Sequence, residues 1–168
     1  MMTIRAETAE DIQAVRRVNE LAFGRPNEAA LVDRLRANAR PYISLVAASN
    51  GQVVGHIFFS PVTIEAADSA SLILGLAPMA VLPAYQKQGI GSRLVREGLR
   101  ECRQIGCEAV FVLGHPEYYP RFGFVPAIQK GLRCEYAVPD DAFMVAELKP
   151  DSLPGGGVVR YRPEFGEV

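Results

Sequence analysis

A chain of 168 residues, 49% hydrophobic and 22% charged, is the size of one globular domain and long enough to bury a core without staples. Its net charge of −1 offers no basic excess for nucleic acid and no charged tail. The apolar runs are broken by Gly, Pro, Ser or His well short of a membrane span, and the first residues lack the apolar region of a signal peptide, so a cytoplasmic protein without membrane contact is expected. Three cysteines, Cys102, Cys107 and Cys134, show no metal-ligand spacing. No metal is expected, and the thiols read as buried and reduced. Cys107 as a nucleophile would need a paired histidine that a sequence alone does not show.

Residues 2–6 read as a first strand. Thr8 with Asp11 three residues on marks a helix start, and Ile12, Val15, Val18 and Ala22 form one face of a helix ending near Gly24. Arg25-Pro26-Asn27 breaks the chain. Asn27 is expected to cap a second helix with Leu31, Leu35 and Ala39 on one side, ended by Pro41. A hairpin follows: a strand from Ile43 to Ala48, a type I′ turn at Asn50-Gly51, and a long strand from Val53 to Glu65. The run Val53 to Phe59 is apolar on both faces, which suggests a central strand covered on both sides. Within it, His56 reads as a hydrogen-bonded core histidine in preference to a base. After a polar connection at 66–70, Leu72 to Leu82 is the next strand, and Pro78 inside it implies a ladder broken by a bulge or splay.

The stretch Val81-Leu82-Pro83-Ala84-Tyr85-Gln86-Lys87-Gln88-Gly89-Ile90-Gly91-Ser92 leads from that strand into a helix. Ile90, Leu94, Val95, Leu99, Cys102 and Ile105 fall at helical spacing, and Gly106 ends it. Glycines at 89 and 91 let the backbone come close to a ligand, and the free N–H groups of the first turn favour an anion such as phosphate. The P-loop pattern is absent, and the third glycine of the dinucleotide fingerprint is replaced by Leu94. Glu108 to Leu113 then forms an apolar strand, parallel to its predecessor across the helical crossover. Residues 130–136 and 142–149 read as closing strands, and the tail carries a short strand at 158–161. With no repeats and no long linker, one mixed α/β domain is expected over 1–168, with a core at 2–149 and a C-terminal extension at 150–168.

Gln86-x-x-Gly89-x-Gly91, after a Val-x-Pro strand end, resembles the acyl-CoA pyrophosphate loop of the GNAT superfamily of N-acetyltransferases. Tyr119-x-x-x-Gly123-Phe124 is similar to a second element of that family, a short helix after the fifth strand. The longer form, Tyr118-Tyr119-Pro120-Arg121-Phe122-Gly123-Phe124, with Pro78-Met79-Ala80-Val81, resembles one bacterial subgroup. The resemblance covers about residues 2–149 and implies a GNAT-like acyl-CoA N-acyltransferase fold. That fold has a mixed central sheet of six to seven strands, helices on both faces, and a splay between the fourth and fifth strands. It further implies acetyl-CoA as co-substrate, with its pyrophosphate on Gln86, Lys87, Gln88, Gly89, Ile90, Gly91 and Ser92. The pantetheine amides would bond the backbone of Met79, Ala80 and Val81, and Tyr119 would protonate the leaving thiolate. Lys87 reads equally as a phosphate ligand or a solvated lysine, and Arg121 as a CoA contact or the partner of a surface carboxylate. Ser92 can both cap the helix and touch phosphate. Tyr85 reads as packing.

The base is less legible. Many members of the family place a glutamate on the fourth or fifth strand, but residues 72–82 hold no ionisable group. His115, at the end of the fifth strand, is the best-placed candidate; Glu65 and Glu117 are weaker, and a chain of waters is a further option. The acceptor is expected to be a primary amine of a small molecule or a protein, met by walls from the first two helices and last two strands. No acidic cluster marks a polyamine site, and no aromatic–basic face marks a nucleic acid. A non-catalytic acyl-CoA-binding regulatory domain is the alternative, and a P-loop-like nucleotide enzyme a third reading. Dimers are common among such proteins, which makes a homodimer a candidate assembly.

Overall fold

A computed structural model describes residues 1–65 and 71–168; the connection expected at 66–70 lies outside the described residues. The strands are β1 (Met2–Ala6), β2 (Ile43–Ser49), β3 (Gln52–Pro61), β4 (Thr63–Ile64), β5 (Ile73–Val81), β6 (Ala109–Leu113), β7 (Val125–Pro126), β8 (Leu132–Cys134), β9 (Phe143–Glu147) and β10 (Gly157–Arg160). The α-helices are α1 (Ile12–Phe23), α2 (Asn27–Asn38) and α3 (Ile90–Gln104). A seven-stranded sheet runs in the order β1-β2-β3-β5-β6-β9-β7, and β4-β10-β8 form a smaller one.

The period of two along β3 decides what covers the main sheet. His56 points to Asn19 of α1, whereas a Cβ at the neighbouring Gly55 would lie 3.1 Å from Leu94 of α3. Successive residues face opposite sides, so α1 and α2 cover one face and α3 the other. Val54, Ile57, Phe58 and Phe59 are wholly buried between them. Each such side chain contributes about 1.5–3 kcal/mol by leaving water. The β2–β3 hairpin turns at Asn50 (φ 50°) and Gly51 (φ 81°), as a type I′ turn requires.

β5 and β6 are the strands expected at 72–82 and 108–113, joined in parallel through α3. They pair only over Ile73–Leu76 and Ala109–Val112. Against β3, the register slips between Ile57↔Met79 and Phe59↔Leu76, which places an extra residue of β5 at Ala77-Pro78. Pro78 brings no N–H to the ladder there. Beyond the bulge, Met79, Ala80 and Val81 pair with β3 alone, so their edge towards β6 is open.

Several local expectations need correction. The strand expected to run from Val53 to Glu65 ends at Pro61; after Val62, whose N–H donates to Ile73 O at 3.0 Å, the chain leaves for the small sheet as β4. The segment expected at 130–136 supplies β8 to that same sheet, parallel to β10, while β7 forms an edge of the main sheet. Asn27 is the first helical residue and does not cap α2; Pro26 precedes it. Thr8 caps a 3₁₀ turn, Ala9–Asp11, that leads into α1. There the Asp11 carboxylate accepts from Thr8 N–H at 2.8 Å and from Arg5 at 2.7 and 3.0 Å. The Arg5 hydrogen bonds hold its pKa well below the usual carboxylate range. The small sheet closes a second apolar cluster in which Phe111 and Phe143 stack at 5.4 Å above Ile64, Leu132 and Val159.

Candidate active site

From β5 the chain passes through a 3₁₀ turn at Pro83–Tyr85 and then through Lys87 and Gly89, at φ 63° and 84°. Both values lie in the left-handed region, which glycine adopts without penalty and lysine does not. Gly89 occupies the position before α3, and its carbonyl accepts the first i−4 bond, from Arg93 N–H at 3.1 Å. The N–H groups of Ile90, Gly91 and Ser92 therefore stand at the positive end of the helix dipole. The glutamines tie the turn down: Gln86 Nε2 donates to Val81 O at 3.0 Å and Gln88 Nε2 to Ala84 O at 3.3 Å. Ser92 is not the helix cap, since Gly89 holds that position and Ser92 is already inside the first turn; its hydroxyl bonds Tyr118 Oη at 2.9 Å. A cavity of 350 Å³ opens over this turn, and Tyr85, Lys87, Gly91, Ser92, Tyr118 and Arg121 line it. The Arg121 guanidinium lies 4.8 Å over the Tyr118 ring and donates to Tyr118 O at 3.0 Å.

A second cavity of 420 Å³ opens where β5 and β6 part. Leu76 to Met79 form one wall and Val112 to His115 the other, with Tyr119 between them and Phe23, Glu28, Leu31 and Phe165 contributed by other elements. Tyr119 starts a 3₁₀ turn, Tyr119–Phe122, and its ring packs edge-on against Tyr118 (5.0 Å) and Phe124 (5.6 Å). Gly114 is required beside it, since a Cβ there would lie 2.4 Å from Tyr119 Cε2. Burial pushes the phenol up to about 12, so it is neutral at pH 7. His115 is exposed at the rim of this cavity.

Glu28 is the residue that the sequence did not single out. It stands in the first turn of α2 with its side chain 9% exposed. Arg25 Nε donates to Oε1 at 3.0 Å, and Arg25 Nη2 donates to Oε2. An acidic residue in a helix's first turn is ordinary dipole complementation, and nothing in the local sequence marks this one as facing a cavity.

Other candidates stand apart from both cavities. His56 is fully buried; Asn19 Nδ2 donates to its Nδ1 at 3.2 Å, which leaves Nε2–H to donate to Ser44 Oγ at 2.9 Å. Burial, reinforced by the charge of Arg36, pushes it down to about 3. Cys102 and Cys107 are buried, and the Cys107 thiol donates to Ala109 O at 3.1 Å. Glu65 is paired with Arg160 at 2.5 Å, and Glu117 is exposed.

An open strand edge between a helix start with free N–H groups and a tyrosine-lined cleft is the arrangement of an acyl-CoA-dependent transferase, and the chain belongs to the GNAT acetyltransferase family. A profile of the acetyltransferase (GNAT) domain matches residues 3–127. The chain is 43% identical over 156 residues to the uncharacterized N-acetyltransferase YjhQ of Escherichia coli K12, covering 89% of this chain and 86% of that one. It is 38% identical over 166 residues to YhbS of the same strain, covering 98% of both. The crystal structure of E. coli YhbS in complex with CoA superposes with a TM-score of 0.90 at 37% identity, over 98% of this chain and 92% of that one. A GNAT acetyltransferase from Brucella melitensis in complex with acetyl-CoA superposes at 0.80 with 39% identity, over 98% of both chains.

Proposed function

We propose that this protein transfers the acetyl group of acetyl-CoA to a primary amine by direct attack, within one domain spanning residues 1–168. The observation that carries the reading is the open edge of Met79–Val81, which runs from the glycine turn to the Tyr119 cleft. The N–H groups of Ile90, Gly91 and Ser92, with Lys87 and Arg121 beside them, suit a pyrophosphate. Gln86 and Gln88 shape the turn. Backbone groups of Met79, Ala80 and Val81 suit the amides of the pantetheine arm.

An alkylammonium with a pKa of ~10.4 loses its proton at a cost on the order of 4–5 kcal/mol at pH 7. His115, on the rim, accepts that proton directly or through water. The amine lone pair then forms the new C–N bond as the C–S bond breaks, and the electrons of that bond stay on sulfur. Tyr119 donates its phenolic hydrogen to the departing sulfur. A phenol near 12 is a weaker acid than a thiol of ~8.5 by about 3.5 units, or roughly 5 kcal/mol. Tyr119 therefore begins as a hydrogen-bond donor to the forming thiolate, worth about 1.5–3 kcal/mol. It completes the transfer as the remaining acidic proton of the acylated nitrogen replaces its own. Amide and free thiol leave with every proton accounted for.

The test is release of CoA thiol against a panel of amines, wild type beside Tyr119→Phe. CoA raising the melting temperature while no amine turns over would favour the non-catalytic acyl-CoA-binding alternative. Stabilisation by ATP in place of CoA would favour a nucleotide enzyme.

A further inference from the structure

The acetyl-transfer reading leaves the acceptor open, and the cavity between β5 and β6 narrows it. Leu31, Leu76 and Val112 in its walls are 2%, 3% and 1% exposed, and Phe23 and Phe165 add aromatic surface. Into this apolar surround α2 places the Glu28 carboxylate, the one acidic side chain among the described residues that line it; no lysine or arginine does so. A carboxylate withdrawn from water is costly unless it is paired. Arg25 supplies one partner, but it is half exposed and does not line the cavity, so it reaches the carboxylate from outside. Each oxygen accepts from Arg25 through one lone pair and keeps a second.

We propose that Glu28 is the counter-ion of the acceptor's ammonium group, and that the acceptor is a small primary monoamine on an apolar body. This rests on the acetyl-transfer reading above. The free lone pairs of Glu28 suit a single ammonium group, and apart from His115 and Tyr119, which the transfer reading already uses, the other described side chains lining the cavity are apolar. A polyamine would bring additional charges into that wall beyond the one acidic side chain there, and an amino acid would bring a carboxylate with no lysine or arginine to meet it. The volume of 420 Å³ falls in the usual range for small-molecule pockets, about 300–1,000 Å³. The acceptor arrives as R–NH3⁺ paired with Glu28, gives one proton to His115, and gains the acetyl carbon as the bond to sulfur breaks; its second acidic proton passes to Tyr119, whose own proton has gone to the sulfur. The amide product is neutral, so its attraction to Glu28 ends with the reaction and favours release.

The experiment is calorimetric titration of the CoA-loaded protein with hexylamine, phenethylamine, spermidine, glutamate and an arylamine that is neutral at pH 7. Wild type should bind the two apolar monoamines most tightly. Glu28→Gln should weaken them about 10- to 100-fold, the loss of one charge-assisted hydrogen bond, and leave the neutral arylamine unchanged. Arg25→Ala retains the carboxylate and should keep monoamine affinity, whereas a merely structural Arg25–Glu28 tie would make the two variants behave alike. Should Glu28→Gln fail to fold, Glu28→Asp keeps the charge one carbon short and should still weaken monoamines selectively. Equal binding of hexylamine by wild type and the Glu28 variant, or tighter binding of spermidine or glutamate, overturns the assignment. Glu28-dependent hexylamine binding without any N-acetylhexylamine formed from acetyl-CoA would sink the transfer reading and leave the counter-ion assignment standing.

Discussion

His56→Gln separates a core histidine from a catalytic one through the pH dependence of stability. In the folded protein the imidazole titrates at about 3, against 6.5 when solvated, because burial between Asn19 and Ser44 excludes the charged form. Its folded pKa is depressed, so the unfolded chain binds a proton at this site between those values and the native state does not. Stability is therefore full above 6.5 and falls as pH falls, with a slope of about 1.4 kcal/mol per unit. Against the plateau at higher pH, the loss by pH 4.5 is roughly 2.7 kcal/mol, a large share of the ~5–15 kcal/mol that holds a domain together. Asp11 acts in the same direction but lower down: its depressed carboxyl stabilises above its unfolded value of 3.8 and is lost only below it. Urea unfolding at intervals between pH 7 and 4.5 isolates the histidine. Wild type should lose stability on that slope; His56→Gln should start lower at pH 7 and run nearly flat. A flat wild-type curve, or an undiminished slope in the variant, refutes the assignment.

Tyr119→Phe should lower kcat by about 10²–10³ with the KM for acetyl-CoA nearly unchanged, the range expected on losing a proton donor from a bound complex; an undiminished kcat in steady-state assays would remove Tyr119 from the chemistry. Gly89→Ala forces a Cβ onto a φ of 84°, at about 1–2 kcal/mol of strain, and should shrink the rise in Tm produced by CoA more than it lowers the Tm of the free protein. Gly114→Ala places a methyl 2.4 Å from the Tyr119 ring, which neighbouring aromatics hold in place. It should cost about 1–3 kcal/mol in denaturant melts and reduce turnover with it; retention of both would show that the ring moves freely.

The parts of this fold that follow a long period were legible from residues alone. Of the six residues that outlined α3, Ile90, Leu94, Val95, Leu99 and Cys102 are buried in it, whereas Ile105 lies just past its end and is exposed. Asn50-Gly51 fixed the hairpin, and Pro78 announced the bulge that opens the sheet. The small sheet was not legible in the same way, because β4 has two residues and β8 three, too few to show alternation. Its existence depends on a tail strand returning to meet both. Ser92 misled for a different reason: the helix starts two residues before it, after Gly89, so its hydroxyl is free to bond Tyr118, distant in sequence. Glu28 was hidden because its local setting and its tertiary setting differ, and only the docking of α2 over the β5–β6 gap turns a first-turn glutamate into a cavity wall.

The short ladder between β5 and β6 has a mechanical side. Among the described residues, the ladder of Ile73–Leu76 with Ala109–Val112, extended by Glu108 N–H donating to Leu72 O at 2.9 Å, is the bonded seam between a block built from β1, β2, β3 and β5 and a block built from β6, β9 and β7. Past that seam the sheet contains an internal edge, the kind of unsatisfied border that proteins normally place on their outer rim and blunt. On the reading proposed above, the co-substrate's amide-bearing arm lies along that border as a surrogate strand, so the donor joins the two blocks as well as delivering the acyl group. Each turnover then removes and replaces a piece of the sheet's own hydrogen bonding.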